Sequence, residues 1–192
     1  AAGITKLRAK TGGKWDKGYT GKDTIVGIID SGIDWTHGDF QDENGTRILY
    51  IWDVIVTTPG KTPADLFGAP LERYDFGTVW TKQDIDAGLC THIDTNGHGT
   101  HVAGTAAGNG FEADKYTGMA PNAGIIAVNN IDVNNGVLFI YEMAKRLGKP
   151  CVVNMSIAVT SPFHWMADNP EKYPADGTDY RSQLFERLNQ DY

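Results

Sequence analysis

The feature that most constrains the fold is a short apolar run at 24–30, Thr-Ile-Val-Gly-Ile-Ile-Asp, which is rich in β-branched residues. A strand with one solvent-exposed face alternates apolar and polar side chains. This run is apolar on both faces, which predicts a strand that is covered on both sides. Comparable runs occupy 124–128 and 151–156, and between them apolar residues recur at helical spacing over 137–147. A strand, a helix and a strand with short connections predict a right-handed βαβ unit and a parallel sheet.

Other segments extend this prediction to a three-layer α/β fold, with a mostly parallel sheet and helices on both faces. Residues 98–108 are dominated by small side chains, which predicts a helix that packs very close to the sheet. Residues 40–93 are aromatic and interrupted by Pro and Gly, so we expect a folded insertion there. Within it we predict a strand over 47–52 and a short helix over 81–89 with Thr81 as N-cap. Because the chain ends on an amphipathic helix after Thr178, with no closing element, we expect an incomplete domain.

Composition excludes several classes of function. The chain has 192 residues, 41% of them apolar, which suffices for one domain with a core. Its net charge of -7 and the lack of a basic face exclude a nucleic-acid partner. No apolar run approaches the ~20 residues that a membrane-spanning helix needs. The two cysteines, Cys90 and Cys151, form no disulfide framework; we interpret Cys151 as a free buried thiol and leave a bridge to Cys90 open.

Asp30 is the first candidate functional residue, because it ends the strand predicted at 24–30 and precedes Ser31-Gly32. In open parallel sheets, functional groups collect at the carboxyl ends of the strands. A simple turn carboxylate would explain Asp30 equally well when it is considered alone.

His98 is the second candidate, since Gly97 and Gly99 leave room for a ligand to approach its ring at the start of the predicted helix. His101 lies on the same helix face, at i+3. His-x-x-His without Cys, or without the Glu of a zinc helix, is weak support for a metal, so we predict no metal site. We interpret His101 as a structural histidine whose ring bonds to backbone.

Taken together, Asp30-Ser31-Gly32-Ile33-Asp34 and His98-Gly99-Thr100-His101-Val102-Ala103-Gly104-Thr105 resemble the signature pair of the subtilase family of serine proteases. Gly118-Met119-Ala120-Pro121 and Val153-Asn154-Met155-Ser156 resemble further motifs of that family. The resemblance extends from Gly21 to Leu188. The insertion is similar to that of bacterial subtilases related to the clostridial spore-germination proteases.

The resemblance implies peptide-bond hydrolysis by an Asp-His-Ser triad, with His98 as the residue that takes and returns the proton and Asp30 as the carboxylate that holds its tautomer. It also implies that Ser156, Ile157 and Ala158 form one wall of the cleft that binds a protein or peptide substrate. Ala158 stands where the family usually has Gly, which predicts a narrower pocket.

The same resemblance implies three finer assignments. Residues 127–129 would form the opposite edge of the substrate cleft, and Asn96 would contribute to the leaving-group side. No cofactor is required, but Asp39 occupies a position that ligates calcium in some subtilisins. We favour a turn carboxylate at Asp39, because calcium takes six or more oxygens and only one is identifiable. The expected location is secreted, periplasmic or on a bacterial cell surface, although residues 1–23 lack the apolar block of a signal peptide.

The nucleophile motif of the family, Gly-Thr-Ser, does not occur. The serines are Ser31, Ser156, Ser161 and Ser182, and none has the sequence context of a nucleophile. We favour a fragment of an active protease, whose partner is the missing C-terminal part of the catalytic domain. The alternatives are a pseudoprotease or regulatory module that binds peptides, and a small metal-binding domain that uses His98 and His101.

Overall fold

The computed structural model describes residues 18–129 and 133–156. The strands are β1 (Ile25–Asp30), β2 (Gln41–Asp42), β3 (Gly45–Thr46), β4 (Ile48–Asp53), β5 (Thr78–Thr81), β6 (Gly124–Asn129) and β7 (Cys151–Met155). The helices are α1 (Pro63–Phe67), α2 (Lys82–Asp86), α3 (His98–Ala107) and α4 (Val133–Leu147), with a 3-10 turn at Gly38–Phe40. None of the helices in this part of the chain is long and apolar enough to cross a membrane.

The main sheet has five strands in the order β5-β4-β6-β1-β7. Strands β4, β6, β1 and β7 run parallel to one another, and β5 pairs antiparallel with β4 at one edge. The 40–93 stretch therefore contributes two strands to the main sheet, next to a separate hairpin formed by β2 and β3. The predicted parallel sheet is confirmed.

One face of β1 packs against α4 through two glycines. A Cβ atom on Gly27 would lie 2.7 Å from Cγ2 of Ile140, and one on Gly136 would lie 2.8 Å from Cδ1 of Ile29. Since neither glycine has a side chain, the helix and the strand approach closely enough to bury Ile29 and Ile140 completely.

The opposite face of β1 packs against α3. Ile28 shares a buried cluster with Ala103 and Ala107 of that helix. The small residues of α3 thus lie against the sheet as predicted, and helices cover both faces. Side chains alternate along a strand, so Asp30 points to the same face as Ile28, toward α3.

Most predicted elements occur where the sequence indicated them. Helix α4 begins at Val133, four residues before the first apolar position used to predict it. Asn134, Asn135 and Gly136 are poor helix formers, and packing of Gly136 against Ile29 explains why the helix includes them. The cap of α2 is as predicted, because the Thr81 hydroxyl accepts the N–H of Asp84.

Both cysteines are free. Cys90 is buried, and burial raises the pKa of its thiol to about 11. The prediction of a buried Cys151 is wrong: this residue is half-buried, because β7 is an edge strand among the described strands. The helix predicted after Thr178 lies outside the described residues.

Arg47 is a buried cation that joins three segments through their carbonyl groups. Its guanidinium donates to Ala107 at the end of α3 (2.6 Å), to Asp39 in the 3-10 turn (2.6 Å) and to Ala123 before β6 (2.9 Å). Burial lowers the pKa of Arg47, an effect partly offset by the nearby carboxylates of Asp42 and Asp39. The side chain therefore satisfies the buried carbonyls of Ala107 and Ala123, whereas the Asp39 carbonyl also accepts the N–H of Asn109 at 3.0 Å.

We predict that Arg47→Met lowers the free energy of unfolding by roughly 2–4 kcal/mol, because the buried carbonyls of Ala107 and Ala123 lose their donor and the Asp39 carbonyl loses one of two. Arg47→Lys retains the charge and part of the hydrogen bonding, so its loss should be smaller. Urea unfolding of the two variants and the wild-type protein measures both effects. Equal stability of Arg47→Met and wild type would show that these hydrogen bonds contribute little.

Candidate active site

Asp30 and His98 form a hydrogen-bonded pair between the end of β1 and the start of α3. His98 Nδ1 lies 2.7 Å from Asp30 Oδ1. The Asp30 side chain is 4% exposed, whereas that of His98 is 51% exposed. Because a carboxylate only accepts hydrogen bonds, Nδ1 carries the proton that is shared with Asp30. The second ring nitrogen, Nε2, then keeps a lone pair that can accept a proton from another group.

The carboxylate of Asp30 is held through one of its two oxygens. Oδ1 accepts the backbone N–H of Ser31 at 2.7 Å in addition to the His98 ring. Oδ2 is buried and has no hydrogen-bond partner among residues 18–129 and 133–156. Within this part of the chain, His98 is therefore the one side chain that bonds to Asp30.

The first turn of α3 is capped by side chains from outside the helix. The N-cap residue, Gly97, has no side chain to offer, and its φ of 79° is one that glycine adopts readily. The N–H groups of His98, Gly99 and Thr100 donate to Asn96 Oδ1 (3.3 Å), Ser31 Oγ (2.9 Å) and Asp94 Oδ2 (2.9 Å), respectively. The Ser31 contact ties the helix that carries His98 to the loop that follows Asp30.

Asp94 is the centre of this network, and the sequence analysis missed it. Its carboxylate accepts the hydroxyls of Ser31 (2.9 Å) and Thr100 (2.6 Å) and the N–H of Gly97 (2.9 Å). Partial burial acts to raise the pKa of Asp94, but the hydrogen bonds from Thr100, Gly97 and Ser31 outweigh it and hold the pKa at about 2. An Asp shortly before a predicted helix start was a signal for such a cap.

Helix α3 reaches Asp30 because two backbones touch. A Cβ atom on Gly99 would overlap the carbonyl oxygen of Gly32, and it would lie 3.1 Å from Cβ of Asp30. Only a residue without a side chain fits there. The contact brings the neighbouring His98 within hydrogen-bonding distance of Asp30.

The predicted substrate-binding residues are only partly described. Asn96 is exposed and lies beside His98, whose N–H it caps. Ser156 is exposed and directly follows β7, whereas Ile157 and Ala158 lie outside the described residues.

The prediction that residues 127–129 form a free cleft edge is wrong. Strand β6 is interior, with Ala127 paired to Ile28 of β1 on one side and to Ile51 of β4 on the other. Strand β4, which belongs to the 40–93 stretch, pairs with the edge of β6 that an extended peptide would need to pair with.

His101 and Asp39 are the two residues that the sequence analysis considered as metal ligands besides His98. His101 is exposed, and its ring makes no hydrogen bond to another described residue, so the predicted bond to backbone is not found. Among the described residues, no group of three His, Cys, Asp or Glu side chains could hold a metal. Asp39 Oδ1 accepts the N–H of Glu112 at 2.9 Å, as a turn carboxylate does. These surroundings do not fit calcium, which takes six or more oxygen ligands.

A buried carboxylate hydrogen-bonded to Nδ1 of a half-exposed histidine is similar to the Asp–His part of the serine-protease triad. The family model described as the subtilase family matches residues 21–190, and the chain belongs to that family.

Individual relatives agree with this assignment. Over 122 residues, the chain is 34% identical to the thermophilic serine proteinase of Bacillus sp. (strain AK1), covering 62% of this chain and 21% of that protein. It is 30% identical over 122 residues to the major intracellular serine protease of Bacillus subtilis (strain 168), covering 64% and 28%. The chain thus spans about a quarter of the length of these two proteins.

A solved structure is also similar. The CspB protease of Clostridium perfringens matches with a TM-score of 0.67 and 26% sequence identity, over 99% of this chain and 39% of that one. The predicted resemblance to clostridial proteases is confirmed at the level of fold and family.

We predict that Asp94 stabilises the native state in a pH-dependent way. Its native pKa of about 2 lies below the ordinary value of 3.8, so its contribution is complete above pH 3.8 and is lost as the pH falls toward 2. Asp94→Asn should lower the free energy of unfolding by on the order of 1 kcal/mol at pH 6, a modest loss because solvent screens the carboxylate.

Chemical denaturation of both proteins between pH 6 and about pH 2 measures this difference, which should shrink as the pH falls. Glu72→Gln, at an exposed position, is the matched control and should show no such trend. A constant difference between Asp94→Asn and wild type across this range would contradict the prediction.

Proposed function

We propose that this chain supplies the Asp and the His of the Asp-His-Ser triad of a serine endopeptidase, whose nucleophilic serine lies outside these 192 residues. The observation that carries the proposal is the hydrogen bond between buried Asp30 and half-exposed His98, at 2.7 Å. Membership of the subtilase family supports peptide-bond hydrolysis as the reaction.

In this mechanism, His98 Nε2 takes the proton from a serine hydroxyl as its oxygen attacks the carbonyl carbon of the substrate. His98 then gives that proton to the leaving amine when the carbon–nitrogen bond breaks. A water molecule releases the acyl group by the same two proton transfers. Asp30 holds the Nδ1–H tautomer of His98 throughout and stabilises the imidazolium that forms.

The contacts of Ser31 support a nucleophile from elsewhere. Ser31 Oγ donates to Asp94 and accepts the N–H of Gly99, so its hydroxyl is engaged in the helix cap and not with His98. Ser156 follows β7, where the family has its cleft strand, and Ser161 and Ser182 lie outside the described residues.

We further propose that the substrate is an extended protein or peptide segment that pairs with Ser156, Ile157 and Ala158 as an added strand. Asn96 would lie on the leaving-group side, which its position next to His98 supports. We expect a secreted, periplasmic or cell-surface bacterial protein. Because one similar protein is named an intracellular protease, fractionation of the source cells is the test of that expectation.

The second candidate function is a peptide-binding pseudoprotease. One observation favours it: no serine of the chain stands in the Gly-Thr-Ser context of the family's nucleophile. Such a protein would bind extended peptides at the same cleft without cleaving them.

A fluorophosphonate probe with mass spectrometry distinguishes the two functions, since it labels only a serine activated by a working base. We predict no labelling of residues 1–192 alone. A polypeptide that continues into the downstream coding sequence should be labelled at a serine beyond residue 192. Asp30→Asn should slow that labelling by on the order of 10,000-fold, because it favours the wrong tautomer of His98.

His98→Ala should abolish labelling, whereas His101→Ala, at the exposed histidine one turn along α3, should leave it intact. Labelling of the 192-residue chain itself would overturn the proposal. An extended polypeptide that binds peptides but resists the probe would establish the pseudoprotease instead.

A further inference from the structure

A second Asp–His pair lies buried beside the candidate active site. His92 Nδ1 is 2.6 Å from Asp53 Oδ2, and the His92 side chain is fully buried. Asp53 ends β4 as Asp30 ends β1, and both residues pair with Asn129 of the intervening strand β6. The two aspartates therefore lie at the same edge of the sheet, one strand apart.

The hydrogen bonds of this pair define the tautomer of His92. Burial acts to raise the pKa of Asp53, but the hydrogen bonds from His92 and from the N–H of Ile55 outweigh it, so the pKa lies below its ordinary value. The ionised carboxylate accepts the proton of Nδ1. Nε2 in turn accepts the backbone N–H of Ile33 at 3.2 Å, which requires a lone pair on that nitrogen. His92 is thus a neutral Nδ1–H imidazole.

Two polar groups of His92 hold the segment that follows Asp30. Nε2 receives the N–H of Ile33, and the backbone carbonyl of His92 receives the indole N–H of Trp35 at 3.1 Å. Gly32 lies directly against the ring, since a Cβ atom there would be 2.5 Å from His92 Nε2.

Gly32 is therefore enclosed between two groups. The His92 ring lies on one side and Gly99 of α3 touches its carbonyl oxygen on the other. A shift of the Gly32 backbone would move Asp30, which is two residues away, or Gly99, which adjoins His98. The His92 ring thus contacts the glycine that lies between Asp30 and the helix that carries His98.

We propose that Asp53 and His92 are a positioning pair that holds the Ser31–Ile33 loop in place and thereby sets the Asp30–His98 hydrogen bond. The importance of this pair for catalysis rests on the proposed function, but its effect on the Asp30–His98 geometry does not. Asp53 keeps the His92 proton on Nδ1, so that Nε2 remains an acceptor for Ile33.

Nuclear magnetic resonance of the 192-residue chain at neutral pH tests the inference without any protease activity. Ring nitrogen shifts in the wild-type protein should identify His92 as the Nδ1–H tautomer. An Nε2–H tautomer or an imidazolium at His92 would overturn the proposal, and this measurement needs no variant that must fold.

Two substitutions of His92 separate its two hydrogen bonds. His92→Asn keeps an amide donor near Asp53 but loses the acceptor for Ile33, whereas His92→Gln can place its amide oxygen where Nε2 was. Both remove the ring, so thermal melts should show similar losses of stability. We expect the His98 Nδ1–H resonance to be lost in His92→Asn and retained in His92→Gln.

His37→Asn is the matched control, because His37 is a half-buried histidine whose ring, among the described residues, hydrogen-bonds only within its own turn, to the N–H of Asp39. It should leave the His98 resonance unchanged. An unchanged resonance in His92→Asn, or equal loss in both His92 variants, would show that His92 is merely a core residue.

In the extended, active polypeptide, His92→Asn should lower kcat by on the order of 100-fold with little change in KM, because the reacting groups are misplaced while the substrate cleft is intact. If the extended polypeptide cleaves no peptide, the proposed function fails, and the resonance experiment still decides the role of the pair.

Discussion

The hydrogen bond between Asp30 and His98 joins the end of strand β1 to the start of helix α3. The packing of the helix on the sheet brings the two side chains within 2.7 Å of each other. Alternation along β1 turns Asp30 toward α3. The small residues of α3 let the helix lie directly on the sheet. Asp94 and Ser31 then cap the first turn from outside, so the helix start and the loop after Asp30 form one hydrogen-bonded unit.

The two Asp–His pairs share one hydrogen-bond arrangement, and the burial of each histidine determines which group its Nε2 can contact. In each, a carboxylate at a strand end accepts the Nδ1 proton of a histidine and leaves Nε2 as an acceptor. His98 is half-exposed, so its Nε2 is available to a reacting group. His92 is buried, so its Nε2 is occupied by a backbone N–H and its role is structural.

The parts of the fold that depend on local pattern could be predicted from the sequence. The buried strand β1, the close-packed helix α3 and the pair Asp30 and His98 follow from hydrophobic runs, small residues and motifs. Asp53 and His92 were not predicted, because their roles depend on contacts between segments far apart in the chain. Asp94 was missed although its bonds to Gly97 and Thr100 are local and follow the pattern of a helix cap. The prediction that residues 127–129 form an edge of the substrate cleft was wrong, because no local pattern in the sequence shows that β4 pairs with β6.

The contact of Gly99 with the carbonyl of Gly32 has a consequence for the evolution and engineering of this site. It is a contact between main chains that requires glycine at position 99, so backbone atoms limit how closely the loop after Asp30 approaches the helix that carries His98. Core substitutions that do not contact the Ser31–Ile33 loop can change stability while leaving this distance unchanged. A closer approach of Gly99 to Gly32 is prevented by the backbone atoms themselves, so a shorter distance would require the loop or the start of α3 to be rebuilt.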